Sequence, residues 1–135
     1  MSLDLSKATD DIPKFSLAGH EYEAKCVSVY DGDTCHIVFE YNGALTKWTL
    51  RLLGINSPEI KDKDLEIVKK AVESRDFLRS LILDKIIKVK IEGFEKYGRL
   101  LGTITVKQGK KYVNVNKLMI DKGYAISFMH DYNDL

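Results

Sequence analysis

Period-two alternation of apolar and polar residues recurs five times along this chain, and only two stretches break it with a helical period. Tyr22, Ala24 and Cys26 share one face of a first run that extends to Tyr30. Cys35, Ile37, Phe39 and Tyr41 share a face of the second. Trp48, Leu50 and Leu52 make a third, which turns Arg51 to the opposite face. Ile87, Val89 and Ile91 alternate with Lys88, Lys90 and Glu92, and Leu101 to Lys107 supplies a fifth run. Such alternation is the signature of strands with one face in a core. Asn42-Gly43 predicts a hairpin turn, because both residues tolerate positive φ. Gln108-Gly109 turns the chain again after the fifth run.

The two interruptions read as helices. Leu65, Val68, Val72, Leu78, Leu81 and Ile82 form a helical stripe, with Lys69, Lys70, Glu73 and Arg79 mostly outward. A shorter helix starts at about Asn116 as its N-cap and runs through Leu118 and Ile120. Gly123 suits the left-handed position that ends it. Three strands, a helix, two strands and a helix predict an α+β, mainly β fold. The expected architecture is a five-stranded barrel of the oligonucleotide-binding (OB) type with two to three packed helices. In such barrels one outer face and its loops commonly hold nucleic acid.

At 135 residues the chain fits a single core, expected over residues 21–135. Residues 1–20 are polar, contain Pro13, and read as a loosely ordered extension. Formal net charge is only +1, so nucleic-acid affinity would have to come from a local cluster of Lys and Arg. No stretch approaches the apolar length of a membrane span, and no signal-peptide core follows Met1. Cys26 and Cys35 form no CxxC pair and read as buried thiols, which leans toward an intracellular, reducing location. His20, His36 and His130 are scattered without zinc spacing, and no Gly-rich phosphate loop is present.

Three short stretches concentrate chemistry. They are Asp31-Gly32-Asp33-Thr34, then Arg51-Leu52-Leu53-Gly54-Ile55-Asn56-Ser57-Pro58-Glu59, then Lys96-Tyr97-Gly98-Arg99. They supply carboxylates at Asp33 and Glu59, guanidiniums at Arg51 and Arg99, and a neutral oxygen at Asn56. Cutting a phosphodiester calls for this mixture. A hard cation needs oxygen ligands, an attacking water needs a base, and a phosphate gathering charge needs forked donors.

In order and spacing these stretches resemble the staphylococcal nuclease-like (thermonuclease) family over roughly Tyr22 to Phe128. The resemblance implies a five-stranded OB-type barrel and calcium-dependent hydrolysis of DNA and RNA that leaves 3′-phosphate ends. Carried over residue by residue, Asp33 matches the family's calcium-binding aspartate and Ser57 the position whose main-chain carbonyl reaches the metal. Asn56 stands at a further metal position. Glu59 matches the general base, and Arg51 and Arg99 match the arginines on the scissile phosphate. Lys96 and Tyr97 match residues that contact a neighbouring phosphate. The expected cofactor is Ca2+, and the expected partners are DNA and RNA, single strands preferred.

The chain departs from the family pattern in two places. Asn56 replaces a second metal-binding aspartate, and Met129 and Asp131 stand where tyrosines lie near the nucleotide. Each motif also has a plainer reading. Asp31-Gly32-Asp33 can be a tight turn, Arg51 and Glu59 a surface ion pair, and Tyr97-Gly98-Arg99 a loop before a strand. Trp48 and Phe94 read as core or rim packing. The alternative to an enzyme is a non-catalytic OB module that binds nucleic acid or protein. Survival of Asp33, Arg51, Glu59 and Arg99 together favours the enzyme.

Overall fold

The first three alternating runs pair in the order in which they are made. In the computed structural model, which describes residues 3–95 and 98–130, they are β1 (Glu21–Asp31), β2 (Thr34–Tyr41) and β3 (Ala44–Leu52), an antiparallel meander. The β2–β3 turn is the expected one, with φ of 52° at Asn42 and 81° at Gly43. After the short β4 (Ile55–Asn56), α1 (Leu65–Ile82) crosses over to β5 (Ile86–Phe94). Then come β6 (Leu100–Gln108), β7 (Lys111–Asn114), α2 (Val115–Asp121) and the short β8 (Ile126–Ser127).

Closure comes from two long-range pairings. β5 takes the free edge of β1, and the first residues of β6 run parallel to the last residues of β3, Leu50 opposite Leu100 and Leu52 opposite Gly102. The ring β3-β2-β1-β5-β6 is thereby complete. It is a closed five-stranded barrel of OB type with two packed α-helices, mainly strand, as the alternation implied. Where β3 leaves the edge of β6, β7 takes it over from Thr105 onward. Inside lie alternating residues of the five barrel strands, among them Cys26, Cys35, Ile37, Leu50, Val89, Ile91 and Ile104. Both cysteines are buried free thiols. No described helix is long and apolar enough to cross a membrane.

Two local expectations are corrected. The N-cap of α2 is Asn114, whose side chain accepts from Lys117 N. Asn116 is buried instead. Its Oδ1 accepts from Ile104 N, and its Nδ2 donates to Leu53 O and Gly102 O. These backbone groups sit where β6 changes partner from β3 to β7, so a side-chain amide supplies the bonds that the ladder lacks there. The buried face of α1 also differs from the expected stripe. Leu65 is 81% exposed, and the helix buries Ala71, Ser74, Leu78, Leu81 and Ile82. The fully buried residues of α1 begin at Ala71, and Ser74 comes close to the backbone at Gly32.

The chain joins the barrel before β1 begins. Leu17 enters the core. Gly19 N donates to Ile91 O at 2.7 Å, and Ile91 N donates to His20 O at 2.9 Å.

Candidate active site

Asp33 organises one end of the barrel. The turn between β1 and β2 presents its carboxylate to a loop far ahead in the chain. Oδ2 accepts from Ser57 N at 2.8 Å and from Ser57 Oγ at 3.0 Å, and Oδ1 accepts from Thr34 Oγ1 at 2.9 Å. Gly32 makes this approach possible. A Cβ there would stand 2.8 Å from the Cβ atoms of both Ser57 and Ser74. The motif is thus a turn, but its glycine serves closeness to the 57 loop and to α1.

Arg51 lies opposite Thr34 in the β2–β3 register. Its Nη1 is 3.4 Å from Asp33 Oδ2, and its Nη2 donates to Asn56 Oδ1 at 3.4 Å. The expected switch of face holds, since Leu50 and Leu52 fill the core while Arg51 looks away from it. That opposite face is itself covered, and Arg51 is only 7% exposed. Phe128 supplies part of the cover, its ring centroid 5.7 Å from the guanidinium carbon. The strap carrying Phe128 is held by β4–β8 pairing and by Gly54, whose O accepts from Phe128 N and whose N donates to His130 Nε2.

Arg99 arrives from a second turn. Gly98 N donates to Glu95 O at 2.9 Å, Glu95 N donates to Arg99 O at 2.8 Å, and Gly98 adopts φ +85°. This turn sets Arg99 Nε 2.7 Å from Glu95 Oε2. Glu95 is buried and Arg99 half-buried.

One cavity of about 340 Å³ gathers these groups. Asp33, Arg51, Asn56, Glu59 and Arg99 all line it, together with Asp31, Glu95 and Phe128. Glu59 is exposed at its edge and has no ion pair among the described residues, so the plainer Arg51–Glu59 pair does not form. Ser57 stands behind Asp33 and meets it through its N–H and hydroxyl. Met129 is exposed. Lys96, Tyr97 and Asp131 lie outside the described residues.

The structure adds Asp31, Glu95 and Phe128 to the set read from sequence. Asp31 closes β1, and its Oδ1 accepts from Asp33 N at 3.0 Å. Burial, and then the neighbouring Asp33 carboxylate, push Asp31 up to about 7. Two carboxylates so placed, with the Asn56 amide oxygen on the same cavity, form an all-oxygen donor set that suits a hard cation. No group of three or more His, Cys, Asp and Glu able to hold a metal occurs among the described residues, so the neutral Asn56 would be the third side-chain oxygen.

The staphylococcal nuclease homologue family matches residues 49–134. The chain belongs to that family. Endonuclease YhcR of Bacillus subtilis is 33% identical over 135 residues, which span 94% of this chain and 10% of that protein. An uncharacterized endonuclease of Escherichia coli O157:H7 is 30% identical over 105 residues, 78% of this chain and 60% of its own length. The probable endonuclease LCL3 of Yarrowia lipolytica is 24% identical over 139 residues, 89% of this chain and 62% of its own. The chain therefore spans less than two thirds of each of these relatives. Family and relatives together support nuclease activity.

Proposed function

We propose that the chain is a calcium-dependent nuclease that hydrolyses phosphodiester bonds of DNA and RNA, prefers single strands, and leaves 3′-phosphate ends. The observation that carries this reading is the convergence of two arginines, a free glutamate and a buried acid pair on one cavity. Asp33, Asn56 and the main-chain carbonyl of Ser57 would hold the calcium, with Asp31 beside them. When bound, the ion would polarise a phosphate oxygen and offset the charge of the acid pair.

The remaining work falls to side chains. Arg51 and Arg99 grip the non-bridging oxygens of the phosphate, where negative charge builds as the water adds. Arg51 is held in place by Asp33 and Asn56 before substrate arrives. Arg99 exchanges part of its contact with Glu95 for the phosphate. Glu59, at the cavity edge and without an ion pair among the described residues, takes a proton from the attacking water. The new P–O bond forms in line with the bond to the 5′ oxygen. That oxygen leaves with the electron pair, and the phosphate stays on the 3′ side.

Asn56 in place of a second aspartate favours one competing reading, a binding module of the same fold with weak or no catalysis. Digestion of single-stranded DNA across a calcium titration separates the two. Cleavage that rises with calcium and stops in chelator, with 3′-phosphate products, is expected. Full cleavage in excess chelator would overturn the calcium assignment. Binding without cleavage at any calcium concentration would leave the module.

A further inference from the structure

The outer face of β5, β6 and β7 carries a second concentration of positive charge, toward the barrel end opposite the cavity. Lys88 and Lys90 point outward from β5, alternating with the buried Ile87, Val89 and Ile91. Lys107 lies near the end of β6, Lys110 sits in the β6–β7 turn after Gly109, and Lys111, which opens β7 opposite Gln108, points to the other face of the ladder. Tyr112 pairs with Lys107 across the ladder, so the two share a face. Its ring is 57% exposed, with Lys88 Nζ 4.5 Å from the centroid. Acids border this face on one side. Glu21 and Glu23 of β1 stand opposite Lys90 and Lys88, and Glu92 lies 3.7 Å from Lys90. Lys90 is the only one of the five lysines with an ion pair among the described residues.

Because the net charge of the chain is only +1, attraction of a polyanion must be local, and here Lys88 and Lys107 stand beside an exposed aromatic ring, with Lys90 on the same face. We propose that this face is a tether for single-stranded nucleic acid, in which lysines meet backbone phosphates and Tyr112 stacks on a base. Lysines alone would suit any acidic partner. The flat exposed ring among them suits bases, which every nucleotide offers. Lys107 lies about eight residues beyond Arg99, roughly 25 Å along β6. A strand engaged at both places would run along the outside of the barrel within the roughly 4–16 nucleotides that one OB fold occupies. The tether rests on the nucleic-acid reading of the cavity but involves none of its residues.

The test uses oligothymidylates of 20 and of 3 nucleotides and compares the parent with K88Q/K107Q and Y112A. Anisotropy in a Glu59→Gln background with calcium reads binding, and the Glu59 proteins read cleavage. Y112A should bind the 20-mer at least about fivefold more weakly, since stacking on one aromatic is worth ~1–3 kcal/mol, and K88Q/K107Q should bind it more weakly as well. The double lysine variant should also show a shallower salt dependence, by about 1.4 in the log–log slope if two phosphate contacts are lost. Binding and cleavage of the 3-mer should stay as in the parent. Unchanged 20-mer affinity in both variants, or an equal loss for the 3-mer, overturns the tether. If the parent cleaves nothing yet the variants lose 20-mer affinity, the tether stands and the nuclease reading falls. If the parent cleaves and the variants bind both oligomers as it does, only the tether falls.

Discussion

The two ends of β2 and β3 bury opposite kinds of side chain. At the hairpin end, Tyr22 stacks on Phe39 with centroids 4.1 Å apart, and Phe39 stacks on Trp48 at 5.4 Å. Tyr41 meets Trp48 edge-on, and Phe15 from the N-terminal segment meets Tyr41 in the same way. At the cavity end, Asp31, Asp33, Arg51 and Glu95 are each less than a tenth exposed. Aromatic burial is favourable, and pairs such as these add to it. Buried charge is tolerated only where hydrogen bonds and opposite charges compensate it. Each of the four has such a partner, Ser57, Thr34 and Arg51 for Asp33, the Asp33 N–H for Asp31, and Arg99 for Glu95. One pair of strands thus holds the fold at one end and a costly polar site at the other.

The sharpest way to break this division is to change chemistry without touching stability. Glu59→Gln should lower turnover about 10²–10⁴-fold, the usual range for a general base. Because Glu59 is exposed and has no ion pair among the described residues, the thermal melt should stay where it is. An unchanged turnover number would remove Glu59 from the role of base.

Lysine at either arginine keeps the charge and loses the fork. Each variant should lose about 10²–10³-fold in turnover, comparable to removing one donor from a charge-stabilising site. The two should differ in stability. Arg51→Lys should also lower the melting temperature, since Arg51 is buried against Asp33 and Asn56, whereas the half-buried Arg99 should tolerate the change. Wild-type turnover in both variants would mean that positive charge alone suffices.

The opposite end is probed by Phe39→Ala. Removing a ring buried between Tyr22 and Trp48 should cost ~3–5 kcal/mol in urea unfolding. Turnover per folded molecule should remain near that of the parent. A parallel fall in turnover would show that the two ends are coupled and the division is false.

The smallest effect belongs to Asn56→Asp. A third carboxylate beside Asp31 and Asp33 should lower the calcium needed for half-maximal cleavage, because ligand charge raises affinity. In chelator the same change should lower the melt slightly, and calcium should restore it by binding the folded state. Both curves unmoved would mean that Asn56 does not contact the metal.

Much of this molecule was legible in order along the chain. Period-two runs located the barrel strands, and Asn42-Gly43 marked its hairpin. Asp33, Arg51, Glu59 and Arg99, widely spaced along the chain, line one cavity. Asn116 was misread because Asn at the start of a helical stretch has the local signature of a cap. Nothing nearby in sequence reveals that β6 loses a ladder partner there. The face of α1 was misread for a similar reason, since a stripe shows periodicity but not how far along the helix the barrel extends.

Local periodicity, turn chemistry and motif order were therefore determined by the sequence itself, because each depends on residues a few positions apart. The tertiary structure alone decided what meets across distance. The parallel pairing of β3 with β6 closes the barrel, and Gly32 fits between Ser57 and Ser74. Asp33 finds Ser57 24 residues on, and Phe128 returns to cover Arg51. Those contacts follow from strand register and closure, and they make Asp31, Glu95 and Phe128, to which the sequence assigned no site role, walls of the site.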